Sequence, residues 1–96
     1  MFIVNLTYQC ELSEIDQHLA AHIQYLEKCY QLGYFLMSGP KGPRNGGVIV
    51  ATAPTKAQLM DILSEDPFYQ HRLARYDIIE FVATKTAPAL AQYQQC

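Results

Sequence analysis

Three short runs in this sequence, Tyr34-Phe35-Leu36-Met37, Val48-Ile49-Val50 and Ile78-Ile79, are apolar at consecutive positions. Successive side chains of a β-strand point to opposite faces of its sheet. A strand with one wet face therefore alternates apolar and polar residues. These runs do not alternate, so a sheet built from them is expected to have both faces covered.

The rest of the chain sets the frame for those strands. Phe2–Tyr8 is rich in strand formers, with Phe2, Val4, Leu6 and Tyr8 on one side and Ile3, Asn5 and Thr7 on the other. Ser13 offers an N-cap, with Asp16 three residues on. Ile15, Leu19, His22, Ile23, Leu26 and Tyr30 then follow at helical spacing, and Gly33 is a natural stop. A helix over 14–32 is predicted. Strands are predicted over 34–38, 47–52 and 76–84. The Gly/Pro-rich stretch between the second and third strands reads as a loop. Thr55, with Gln58 in the capping-box position, starts a second helix carrying Leu59, Met60, Ile62 and Leu63. Asp66-Pro67 ends it, because proline pushes the preceding residue out of the helical region. Residues 68–72 read as a turn or a short helical piece.

The order is β-α-β-β-α-β. This is an α+β, ferredoxin-like arrangement with two helices on one face of a four-stranded antiparallel sheet. It leaves the other sheet face bare, against the evidence of the apolar runs. With 96 residues there is room for one domain and no spare segment large enough to cover that face. A second copy of the chain is the economical cover, giving a homodimer through the open sheet face and a dimeric α/β barrel. The domain is placed at 1–86, with a tail over 87–96 that carries no clear packing pattern.

Composition excludes several classes of function. Half the residues are hydrophobic and 17% are charged, which rules out a disordered chain. Seven basic against nine acidic residues leave no basic field for nucleic acid. No apolar stretch approaches the length of a membrane span, and the N-terminus lacks the basic start of a secretory signal. Cys10, Cys29 and Cys96 are widely spaced with no CxxC pair, so free thiols in a reducing cytoplasm are expected.

Several pieces then fall in a telling order. They are His22-Ile23-Gln24-Tyr25-Leu26 on the first helix, Gly33 before a strand ending Ser38-Gly39-Pro40, Gly46-Gly47 opening the third strand, Asp66-Pro67-Phe68, and Ala74-Arg75-Tyr76 leading into the fourth strand. In this order the chain resembles the YciI-like (YCII-related) family of small dimeric α/β-barrel proteins over nearly its whole length. The resemblance implies a ferredoxin-like dimer with a His–Asp site, and one relative in chloroaromatic degradation is a dehydrochlorinase. Many members carry an arginine three residues before the histidine. Here that position is Leu19, so Arg44 or Lys41 would have to serve an anion instead.

His22 shares a stripe with Leu19, Ile23 and Leu26 and should face the sheet. Histidine exchanges protons near neutral pH, and a carboxylate partner fixes its tautomer. Asp66 is the candidate partner. The plainer alternative is a core histidine bonded to a backbone carbonyl, with Asp66 capping the turn before Pro67. His18 and His22 have metal-ligand spacing and His71 or Asp66 could supply a third ligand, but the adjacent glutamate of a zinc protease motif is missing and no metal is expected. Ser38, Arg44 and Phe68 are the candidate substrate-binding residues, and Tyr8, Tyr25 and Tyr69 could also line an apolar pocket. The expected function is a cofactor-free enzyme performing elimination, isomerisation or hydrolysis on a small, anionic cyclic substrate. The rivals are a non-catalytic module that binds a small ligand and a domain that only dimerises.

Overall fold

The structure is a computed structural model that describes residues 1–95. Its elements are β1 (Phe2–Tyr8), α1 (Leu12–Gln31), β2 (Phe35–Pro40), β3 (Gly46–Ala51), α2 (Lys56–Leu63), α3 (Pro67–Gln70), β4 (Ala74–Glu80) and a 3-10 turn at Pro88–Tyr93. The four strands form one sheet in the order β2-β3-β1-β4, with all neighbours antiparallel. This is the ferredoxin-like α+β fold expected from the sequence.

The apolar side of β1 is the centre of the core. Phe2, Val4 and Leu6 are buried under the helices with Ile49 and Ala51 of β3, Phe35 of β2 and Leu59 and Leu63 of α2. Burying side chains of this size contributes roughly 1.5–3 kcal/mol each. The register places Ile3, Val50, Met37 and Ile79 together on the opposite face, beside Asn5, Val48 and Asp77. Met37 and Ile79 are 52% and 60% exposed there.

Several expected boundaries move. Ser13 does not cap α1: the helix begins one residue before it, with Glu11 at the cap position and no side-chain bond. Glu14 in the first turn and Lys28 in the last complement the helix dipole instead. The buried face of α1 is Ile15, His22, Tyr25 and Cys29, whereas Ile23 is 45% exposed and lies at its edge. Thr55 does cap α2, accepting from the Gln58 N–H at 3.2 Å. The fourth strand begins two residues earlier than expected and ends at Glu80. Residues after it turn back: Gln95 accepts from the Ala83 N–H at 2.8 Å and the N-terminal amine of Met1 at 3.2 Å. That bond pair ties the tail to the start of β1.

An irregularity in β2 turns a polar residue towards the helices. Phe35 pairs with Ala51 but Met37 pairs with Val50, so Leu36 is an extra residue in the strand. Such a bulge reverses which residues face which side. Ser38, paired with buried Ile49, therefore looks to the helix side, as Phe35 does.

Candidate functional site

A cleft of about 280 Å³ opens between α1, the start of α3 and the β2–β3 hairpin. Its walls are mainly Leu6, Tyr8, Leu19, Leu26, Ile49 and Phe68. Its polar groups are His22, Ser38 and Arg44. Three of the five predicted site residues thus meet there with Phe68, and the fifth, Asp66, stands directly behind His22.

Asp66 is placed by local backbone chemistry. It precedes Pro67, which opens the four-residue α3 with a φ suited to a first helical turn. Its carboxylate caps that turn, with Oδ1 accepting from the Phe68 N–H at 3.0 Å. The same oxygen lies 2.7 Å from Nδ1 of His22. The other, Oδ2, accepts from the Tyr76 hydroxyl at 2.5 Å. Asp66 is 0% exposed. Asp66 therefore both caps the turn that Pro67 opens and binds the histidine.

His22 comes from the buried face of α1 and is 9% exposed. The Phe68 ring lies flat against it, centroids 3.9 Å apart and planes 4° from parallel. With Nδ1 donating to Asp66, Nε2 is the ring nitrogen left to accept or deliver a proton, and His22 lines the cleft. A hydrogen-bonded carboxylate on one nitrogen fixes both the tautomer and the ring orientation.

Ser38 reaches the cleft, yet its hydroxyl is hydrogen-bonded to that of Tyr30 rather than to His22. Arg44 lines the mouth, and its Nη2 donates to Asp16 Oδ1 of α1 at 2.6 Å. That bond and the charge of Asp16 raise the guanidinium's pKa above its ordinary value. Lys41 does not share the site: its amine reaches Thr7 Oγ1, on the opposite face of the sheet, at 3.4 Å. Of the aromatic candidates, Tyr8 and Phe68 line the cleft. Tyr25 instead donates to the Ile62 carbonyl at 2.7 Å. Tyr69 packs edge-on against Tyr76, 5.3 Å away.

The His18 ring lies against that of His71, centroids 4.2 Å apart and planes tilted by 31°. The two ring pairs, His22 on Phe68 and His18 on His71, dock α3 and the residue after it against α1. Sequence reasoning missed Tyr76, Tyr30 and Asp16. Only Tyr76 carried a signal, as the last residue of the Ala74-Arg75-Tyr76 segment.

Among the described residues no helix is long and apolar enough to cross a membrane. No curated protein sequence matches this chain. Among solved structures it is similar to the 5-chloro-2-hydroxyhydroquinone dehydrochlorinase of Burkholderia phenoliruptrix AC1100, in complex with 2,5-dihydroxybenzoquinone. The two share 18% sequence identity and a TM-score of 0.73, over 83% of this chain and 91% of that one. That level of likeness establishes a shared fold. The profile of the YCII-related domain matches residues 1–82. With the resemblance in its motifs and the fold now in agreement, the chain belongs to the YCII-related domain family.

Proposed function

We propose that this chain is a small enzyme whose His22 performs general acid–base chemistry, oriented by Asp66. The observation that carries the reading is the His22–Asp66 bond at 2.7 Å, on the wall of an apolar cleft, with Asp66 wholly buried. A base must present a free lone pair to the substrate, and with Nδ1 bound to Asp66 it is Nε2 of the cleft-lining His22 that remains for this. Proton removal or delivery of this kind serves elimination, isomerisation or hydrolysis and uses side chains alone, with no cofactor required.

The cleft supports a small ring-shaped substrate. Drug-sized ligands occupy roughly 300–1,000 Å³, and about 280 Å³ suits a single ring with few substituents. Arg44 is paired with Asp16 and would serve an acidic substrate group by sharing its guanidinium between the two, and the Ser38 hydroxyl adds a hydrogen-bonding partner. Phe68 offers an apolar surface beside the imidazole. The dehydrochlorinase neighbour binds a dihydroxylated quinone ring, a molecule of the size and acidity these walls would accept. We further propose that the open sheet face is covered by a second copy of the chain. The free thiols of Cys10 and Cys29 fit a cytoplasmic setting.

The test uses 5-chloro-2-hydroxyhydroquinone as trial substrate and 2,5-dihydroxybenzoquinone as trial ligand. Chloride release by the wild type, lost in His22→Ala and reduced on the order of 10²-fold in Asp66→Asn, is the expected result. Binding of the quinone with no turnover, and equal affinity in His22→Ala, would point to a ligand-binding module and overturn the catalytic reading.

A further inference from the structure

We infer that Tyr76 is a positioning residue for this site, holding the second oxygen of Asp66 and so setting how much negative charge the carboxylate presents to His22. The inference rests on the reading of His22 and Asp66 as the acid–base pair.

Three donors converge on Asp66, each from a different element: His22 Nδ1 from α1, the Phe68 N–H from α3 and the Tyr76 hydroxyl from β4. Two of them share Oδ1. Among the described residues Tyr76 alone holds Oδ2, at 2.5 Å. Asp66 is 0% exposed, so water has no access to replace a lost donor. The Tyr76 ring reaches this position because the residue pairs with Leu6 across the sheet and so faces the helices. Burial first, then the charge of Asp66, push the phenol's pKa far above its ordinary value. Tyr76 therefore remains protonated and donates throughout the working pH range.

A charge-assisted hydrogen bond draws negative charge towards its donor. With Tyr76 in place, the carboxylate is shared between a phenol and an imidazole. Without it, the whole charge faces His22, and the imidazole holds its second proton more tightly. The other titratable groups packed around the pair are Tyr25 and Cys29 on α1, Glu65 beside Asp66, and Tyr69 next to Tyr76. Tyr25 donates elsewhere, to the Ile62 carbonyl, and Lys28 reaches Glu65 at 3.8 Å. None of these donates to Asp66 Oδ2.

The test reads the His22 ring by nuclear magnetic resonance as a function of pH, with no substrate required. Tyr76→Phe keeps the ring and its packing and removes only the hydroxyl. It is expected to raise the midpoint of the His22 titration by about 0.5 pH unit or more. Site-specific 3-fluorotyrosine at position 76, a more acidic donor of nearly the same shape, is expected to lower it. Tyr69→Phe, which removes a neighbouring phenol hydroxyl, should leave the midpoint in place. A merely structural tyrosine would not move it in opposite directions with the two replacements. Asp66→Asn separates the two readings. If it lowers the midpoint while neither change at Tyr76 moves it, the role of Tyr76 is overturned and the pair stands. If Asp66→Asn also leaves it unmoved, the pair itself is refuted, and the role of Tyr76 with it.

Discussion

At the scale of single residues, Asp66 joins stability to chemistry. Its carboxylate is the acceptor for three donors, the His22 imidazole, the Phe68 N–H and the Tyr76 hydroxyl, in a site closed to water. Removing an acceptor from buried donors costs about 1–3 kcal/mol for each group left unpaired, and the costs do not add in full. Asp66→Ala should therefore lower unfolding stability by about 3 kcal/mol in urea titrations, and Asp66→Asn, which keeps one carbonyl oxygen, by clearly less. A second residue-scale consequence comes from the buried phenols. Tyr25 and Tyr76 both have pKa values pushed far above the ordinary 10.0, first by burial. Below pH 10 both folded and unfolded states keep these protons. Above it the unfolded chain releases them and the folded chain does not, so stability falls as pH rises. Urea unfolding between pH 7 and 11 should show a decline that starts at about pH 9, where burial also holds the Cys29 thiol above its ordinary value, and steepens above about pH 10 as the two phenols join it. Tyr76→Phe should make that decline shallower, since one of the two phenols no longer contributes.

At the scale of elements, β3 enters beside β1 with almost no space. A Cβ on Gly46 would lie 1.8 Å from the Leu6 carbonyl oxygen, a backbone atom of the central strand. Gly46→Ala must push β1 and β3 apart where the cleft wall is formed. A loss of about 3 kcal/mol is expected from this overpacking, read as a lower melting midpoint with the same fold. How far the elements could be read from sequence follows the same local logic. The order β-α-β-β-α-β, the Thr55 cap and the placement of His22 on a buried helical face were legible, because each rests on periodicity or on one capping contact. The start of α1 was not: Ser13 looked like a cap, but the helix begins before it with no side-chain bond at all. The orientation of Ser38 was not legible either. It depends on the extra residue Leu36 in β2, and a bulge is set by pairing with β3, which a single segment does not contain. Tyr76 was hidden for a related reason. Its bond to Asp66 joins β4 to the N-terminus of α3 through the fold, although the two residues are only ten apart in the chain.

At the scale of the whole molecule, the helices cover one sheet face and the chain leaves an apolar area on the other. Met37, Ile79 and Val82 are 52%, 60% and 58% exposed. A second cleft of about 380 Å³, walled by Met37, Val50, Phe81, Leu90 and Tyr93, runs beside them along the returning tail. Exposed side chains of this size next to a receptive groove suit a two-fold contact, in which each copy supplies both parts. Ile79 is the natural probe. It lies on the edge strand β4, paired with Ile3 of β1 on the open face, and its side chain takes no part in the His22 cleft. An arginine there would meet its own copy or apolar surface across the two-fold, and burying an unpaired charge costs several kcal/mol. Sedimentation at micromolar concentration should then find the wild type as a dimer of 10.9 kDa chains and Ile79→Arg as a monomer with unchanged helix content. A wild type that sediments as a monomer would remove the case for a second copy. A variant that stays dimeric would move the contact to another surface. The expected pair of results would place the apolar residues of the open face in the interface and leave the His22 cleft on the opposite side of the sheet, one in each copy.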